Sequence, residues 1–254
     1  MSEGALYKNN ANITCKHVLG FALAIGLLAS TSARSQTFLD NFSSYPNKIC
    51  WTDGSKFGPW TVAWSGFGCV EAVTDSSGGT WLNETPKASK SRGRSALTFG
   101  PSPGAVTSYT YLVSIKTLAQ IDSNPKPWQV GWALWSYTDQ NHFYDVVLKP
   151  NGWELDKEYL NSTGTQSQCF LASGTNYEFP IGVRYDLQIH DAIVGVATKT
   201  ITVEVSGPTI PTPITLVTYT DAGACGVSPY MSGSIALYDE AASVDFTNVR
   251  LSSP

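Results

Sequence analysis

Charge is scarce in this 254-residue chain, and basic charge scarcest: 16 Lys and Arg stand against 20 Asp and Glu, and only 14% of residues are charged. A net charge of −4 and an isoelectric point near 5.3 exclude a partner whose phosphates need a basic face, so no nucleic acid is expected, nor attraction to an anionic membrane. No Cys-x-x-Cys occurs and the three histidines (His17, His142, His190) are scattered, which argues against a zinc centre. Also missing are a Gly-rich phosphate loop, a Gly-x-Ser-x-Gly elbow and a metalloprotease motif. No internal repeat, interdomain linker or long amphipathic helical pattern is present. What the chain does have is aromatic surface: 12% Phe, Trp and Tyr, with eight Trp. Some of those must be core, but Trp is also a stacking surface for sugar rings, and the surplus points toward carbohydrate.

The first 35 residues read as a secretory signal. Lys8, Lys16 and His17 form a basic leading region, and residues 18–29 are an apolar run of twelve, too short to span a bilayer as a helix. Small residues follow, with Ala33 and Ser35 placed for cleavage before Gln36. The alternative is an uncleaved anchor. Removing this segment leaves 13 basic and 19 acidic residues, a charge of about −6. It also removes Cys15 and leaves Cys50, Cys69, Cys169 and Cys225, an even count that suggests two disulfides in a secreted or periplasmic protein. Three pairings are open. Cys50–Cys69 is favoured because the two bracket one local loop, which leaves Cys169–Cys225.

From Thr37 onward about eleven short runs of alternating or β-branched residues succeed one another. Turn clusters such as Ser76-Ser77-Gly78-Gly79, Pro101-Ser102-Pro103-Gly104 and Pro150-Asn151-Gly152 separate them. This pattern predicts an all-β fold, a two-sheet antiparallel β-sandwich formed by residues 36–254 as one domain. The Pro- and Thr-rich stretch 209–213 reads as a rigid loop.

Residues 154–158, Glu-Leu-Asp-Lys-Glu, carry the most chemistry. On a strand, Glu154, Asp156 and Glu158 point to one face, and the outer two have Cα atoms roughly 13 Å apart. If the two Glu side chains lean together, their carboxyl groups reach the ~5.5 Å that a retaining glycosidase requires of a nucleophile and a general acid/base. Asp156 between them would separate their proton affinities. The competing reading is a solvated acidic face on an edge hairpin. With the turn at residues 150–152, the hairpin 142–159 pairs Leu148 with Trp153, Val146 with Leu155 and Tyr144 with Lys157 on one, largely apolar face. Val147 with Glu154, Asp145 with Asp156 and Phe143 with Glu158 then form the other. Four carboxylates on one patch repel, so either some of their pKa values rise or a cation sits among them. On the preceding run Trp132 and Trp135 point to opposite faces, one to the core and one to a groove, unless both are core. Lys157 falls at an otherwise apolar position, where an ammonium is costly unless it snorkels out.

The opening Asp40-Asn41-Phe42, the closing Gly233-Ser-Ile-Ala-Leu-Tyr238 and Val244-Asp-Phe-Thr-Asn-Val249, and the central residues 142–155 together resemble the concanavalin A-like lectin/glucanase jelly roll. In particular they resemble secreted family-sixteen-type glycoside hydrolases and 3-keto-disaccharide hydrolase-like proteins. The resemblance covers nearly all of the chain after the signal. It implies a jelly roll and, through the Glu-x-Asp-x-Glu pattern, Glu154 as nucleophile, Asp156 as its support and Glu158 as general acid/base. It implies sugar contacts from Trp132, Trp135, Asp145 and His142. It further implies no catalytic cofactor but a structural Ca²⁺ near Asp40 and Asp245, unless these are two ordinary surface acids.

The expected partner is a polysaccharide or oligosaccharide, with no nucleic acid and no membrane after signal removal, and the chain is expected to be a monomer. The fold hosts several activities, so three functions compete: a retaining endo-glycoside hydrolase on a β-glucan-like substrate, a non-catalytic carbohydrate-binding module, and a polysaccharide lyase. The lyase would use His142 with Tyr144 or Tyr159, and Arg92 or Arg94 would meet a uronate carboxylate.

Overall fold

Alternating burial, cleanest over residues 185–191 and 199–205, sets the architecture: every second residue there is buried, as a sheet packed on one face requires. The computed structural model describes residues 37–87 and 94–253. The expected signal segment and Arg92 lie outside the described residues. The strands are β1 (Thr37–Asp40), β2 (Lys56–Phe57), β3 (Trp60–Trp64), β4 (Cys69–Thr74), β5 (Thr80–Thr85), β6 (Ser95–Phe99), β7 (Ser108–Gln120) and β8 (Gly131–Asp139). They continue with β9 (His142–Lys149), β10 (Gly152–Leu160), β11 (Gln166–Gly174), β12 (Tyr185–Gly195), β13 (Thr198–Gly207), β14 (Ile210–Asp221), β15 (Ser234–Glu240) and β16 (Ala242–Ser252).

They form two antiparallel sheets, a β-sandwich of the jelly-roll type. One runs β14-β13-β12-β7-β16-β5-β4, with β1 also on β16; the other runs β11-β10-β9-β8-β15-β6-β3-β2. Their facing surfaces share one core, in which Trp60, Tyr111, Trp135, Tyr144, Leu155, Ile201 and Phe246 are fully buried. The second sheet also carries a smaller apolar cluster on its outward face, around Leu97, Leu134, Tyr137, Phe143 and Ala236. The stretch 209–213 is not a loop: it opens β14, and Pro211 and Pro213 are tolerated there because β14 is an edge strand. Cys50 pairs with Cys69 and Cys169 with Cys225, bridges that suit an oxidising environment. Among the described residues no helix is long and apolar enough to cross a membrane.

A bulge in β8 prepares the outward face. Ser136 has φ 49°, and the pairing of β8 with β9 shifts between Trp135 and Asp139. Trp135 and Ser136 both serve the interior, so Tyr137 is turned outward onto Phe143 and Phe99. Opposite the bulge sits Gly233, at φ 142°, where a Cβ would lie 2.3 Å from the Ser136 carbonyl carbon. Only glycine fits so close a backbone approach.

The interior is also charged. Lys157 does not snorkel: it is fully buried and donates to Asp221 Oδ2 at 2.8 Å and to the Val227 carbonyl at 2.6 Å. Tyr144 donates to the same Asp221 oxygen at 2.6 Å. Beside this pair, Lys199 donates to Asp191 at 2.9 Å and to the Ser136 hydroxyl at 2.9 Å. Further along the core Glu84 is fully buried, and neither of its oxygens has a hydrogen-bond partner. Burial pushes it up to about 8, and burial with the nearby Glu84 carboxyl pushes Asp239 well above the carboxylate range.

The sign of the pH dependence follows. A carboxyl raised by folding keeps a proton that the unfolded chain releases, so the fold loses stability as pH climbs from the unfolded value near 4.5 toward 8. Each such group contributes at most about 1.4 kcal/mol per pH unit. Asp221 acts oppositely. Burial would raise it, but hydrogen bonds from Lys157, Tyr144 and the Ala224 and Gly223 amides hold it low, so its contribution is lost as pH falls through the acid range. Maximal stability is therefore expected at mildly acidic pH. In urea unfolding, Glu84→Gln should leave stability near pH 5 about unchanged and raise it near pH 8. An unchanged pH slope would show that Glu84 is ionised in the fold.

Candidate functional site

The Pro150-Asn151-Gly152 turn fixes the β9–β10 register, pairing Glu154 with Val147, Asp156 with Asp145 and Glu158 with Phe143. All four carboxylates therefore lie on the outward face of the second sheet. Their surroundings differ. Glu154 is half-buried and ion-paired with Lys149. Asp156 is fully buried; one oxygen accepts from the Gln168 amide at 3.0 Å and the other has no partner. Asp145 is fully buried with neither oxygen partnered. Glu158 accepts from the Gln166 amide at 3.1 Å.

Burial, then the facing Asp156 and the neighbouring Glu158 and Glu154, push Asp145 well above the carboxylate range. Burial and Glu154 push Asp156 to about 7 against the Gln168 hydrogen bond. Burial raises Glu158 against its bond from Gln166. Asp145 and Asp156 thus form a proton-holding pair beneath the surface, because two adjacent buried carboxylates cannot both ionise at modest cost.

The same sheet carries a trough, which neither Asp145 nor Asp156 lines. One part, about 350 Å³, has Trp64, Trp132, Phe143 and Tyr238 as its aromatic lining and Glu158 and Glu240 as its carboxylates. Through Trp64 and Gln140 it continues into a second part of about 570 Å³, lined by Phe99, Tyr137, Asp139 and Asn141. Trp132 meets Tyr238 edge-on at 5.1 Å and donates its indole N–H to the Trp128 carbonyl at 2.9 Å. The Tyr238 hydroxyl donates to Glu240, which burial raises against that bond. Glu158 and Glu240 lie on strands three apart in the sheet, about 14 Å, and further apart along the strands, so they are not a hydrolytic pair.

The sequence reading missed Trp64, Tyr238 and Glu240. The only signal was alternation on the closing strand, Tyr238 and Glu240 flanking a buried Asp239, which does not say which sheet face is open.

Several expected site residues are placed elsewhere. Trp135 is fully buried and stacked on Tyr144 at 5.7 Å, so it packs in the core and does not line the trough; strand alternation sends it inward while Trp132 goes outward. Asp145 is fully buried and does not line the trough. His142 is on the Tyr144 side of β9, away from the carboxylates, with its ring edge-on to Tyr230 at 5.8 Å and Nδ1 at 2.9 Å from Asp139. Tyr144, buried and bound to Asp221, is held well above its ordinary pKa and cannot serve as a base beside it. Arg94 is ion-paired with Asp122.

Asp40 and Asp245 do not meet around a cation. Asp40 pairs with Val249 on β16, four residues beyond Asp245, and its oxygens accept from the Phe42 amide, the Tyr45 hydroxyl and the Trp60 indole at 2.7–2.9 Å. Asp245 accepts from the Asn83 amide at 2.8 Å. Among the described residues no cluster of three or more His, Cys, Asp or Glu has metal-binding geometry. The donors do not fit the Ca²⁺ that the resemblance implied.

Compared by sequence with protein families and with characterised proteins, the chain matches none. Solved structures with a related arrangement of strands include a carbohydrate-binding module, CBM66, from Bacillus subtilis, with 14% identity, covering 77% of this chain and 96% of that one at TM-score 0.48. Another is an endo-β-1,4-glucuronan lyase from Trichoderma reesei, with 9% identity, covering 85% and 95% at TM-score 0.49. A third is the PL-14 alginate lyase from Aplysia kurodai, with 10% identity, covering 73% and 87% at TM-score 0.46.

Proposed function

We propose that this domain binds a polysaccharide or oligosaccharide along the outward trough of the β8–β10 sheet. The observation that carries this reading is the convergence of Trp64, Trp132 and Tyr238 with two separated carboxylates in one trough. The apolar ring faces of a glycan pack on aromatic surfaces by dispersion and burial, while its hydroxyls need acceptors such as Glu158, Glu240 and the Gln140 and Gln166 amides. The volume suits a ligand site.

Retaining hydrolysis is the second reading. Favouring it is the raised Glu158, a protonatable acid in the trough on the same strand face as Glu154. Glu158 would then protonate the leaving oxygen and Glu154, freed from Lys149, would attack the anomeric carbon. Against it, Glu154 is engaged by Lys149 outside the trough lining.

Incubation with an oligosaccharide panel, read for binding, new reducing ends and near-ultraviolet absorbance together, separates the readings. Binding with no new reducing end and no unsaturated product is expected. Reducing ends that vanish in both Glu158→Gln and Glu154→Gln would make the protein a hydrolase. Ultraviolet absorbance would make it a lyase.

A further inference from the structure

The trough is aromatic and acidic. Its described lining includes Glu158, Glu240 and Asp139 but no Lys, Arg or His. Of the described basic side chains on the adjoining segments, Lys149 pairs with Glu154, Arg94 with Asp122 and Lys157 with Asp221 on the inner face, while Lys87 and Lys126 are exposed and outside the lining. Asp139 has His142 and the Asn141 amide as partners. Glu158 and Glu240 are different: their hydrogen bonds come from a neutral amide and a neutral hydroxyl, Gln166 and Tyr238, and no cation among the described residues is ion-paired with either.

An anionic glycan laid in this trough would place its carboxylates or sulfates against two acids, with no guanidinium or ammonium in the described lining to receive them. A cation would instead gain three things at once. It would gain charge-assisted hydrogen bonds to Glu158 and Glu240, the attraction of the faces of Trp64, Trp132 and Tyr238, and relief of the cost of two partly buried, unpaired charges. Because the two acids sit at least three strand spacings apart, about 14 Å, one sugar unit does not reach both. The cations must recur along the chain.

We infer that the trough selects a glycan bearing free, protonated amines, a glucosamine-type polymer, over its N-acetylated counterpart, and rejects uronates. This rests on the glycan-binding reading above and narrows its ligand class.

Calorimetric titration of the protein at mildly acidic pH tests it with three probes: a fully deacetylated glucosamine hexamer, the N-acetylated hexamer and a uronate hexamer. The deacetylated hexamer should bind about tenfold or more tightly than the acetylated one, an advantage that should shrink several-fold between about 0.05 and 0.5 M salt, and the uronate should not bind. Glu240→Gln and Glu158→Gln should each lower affinity for the deacetylated hexamer by about tenfold while leaving the acetylated one within about twofold. Equal or tighter binding of the acetylated hexamer overturns the amine preference and leaves glycan binding standing, and so does uronate binding. If no probe binds and a wider neutral panel also fails, glycan binding itself is wrong. The contrast between the two hexamers needs no variant, so a poorly folding Glu→Gln protein leaves the test intact.

Discussion

Lys157→Ala is expected to destabilise the fold by about 3–5 kcal/mol, because it strands Asp221 as a buried unpaired charge. Lys157 and Asp221 are both fully buried, one from each sheet, and Asp221 also receives the Tyr144 hydroxyl and the Gly223 and Ala224 amides. Losing the ammonium also leaves the Val227 carbonyl without its donor. The segment so tied down carries Tyr230, whose hydroxyl donates to the Glu158 carbonyl at 2.8 Å, so loosening it should disturb the Glu158 end of the trough as well. Lys157→Met with Asp221→Asn should cost less than the sum of the two single changes, since neither then leaves a lone charge. Urea unfolding of the singles and the double measures this. Singles that each cost under about 1 kcal/mol would mean the pair is solvated rather than buried.

Much of the fold was legible and part of the site was not, for different reasons. The β9–β10 hairpin could be read to the residue because a tight turn sets register and register sets face; Asp145, Glu154, Asp156 and Glu158 lie on the expected side. The strands at residues 69–74, 80–85 and 166–174 went unread. The last, an edge strand, opens and closes on polar residues and groups Cys169 to Ala172 in one run instead of alternating them, and the first two carry Glu71, Asn83 and Glu84, residues poor in strand propensity that pairing with neighbours overrides. Lys157 was expected to reach water because its partner comes from Asp221, 64 residues away on the other sheet. No local pattern announces such a partner. Likewise Trp64, Tyr238 and Glu240 reach one trough from β3 and β15, which are separated by most of the chain and joined only through sheet order. The Trp surplus was an ambiguous guide for the same reason: Trp60, Trp135 and Trp153 are core, and only Trp64 and Trp132 line the trough.

Trp132→Ala should weaken glycan binding by about 30-fold or more, the effect of removing a central aromatic anchor. The ring is half-exposed, braced edge-on by Tyr238 and fixed in direction by its bond to the Trp128 carbonyl, so it is presented without further ordering cost. Its removal costs contact area and leaves the buried layer beneath intact. Trp135→Ala, three residues away, should behave oppositely: it opens a cavity in the core and costs about 3–5 kcal/mol of stability. A loss of affinity equal in both variants would signify general unfolding, and no loss in Trp132→Ala would remove the ring from the site.

The most direct measurement is an indole N–H NMR titration of the isotopically labelled protein with the tightest-binding oligosaccharide of the panel. Binding in the trough moves the Trp64 and Trp132 resonances together along one saturating curve, leaves Trp60, Trp135 and Trp153 in place, and in Trp132→Ala shifts the Trp64 curve to about 30-fold or more higher ligand concentration. Saturable binding that leaves Trp64 and Trp132 unmoved while shifting Trp51 or Trp81 would put the ligand on another face of the sandwich and contradict the assignment of the trough.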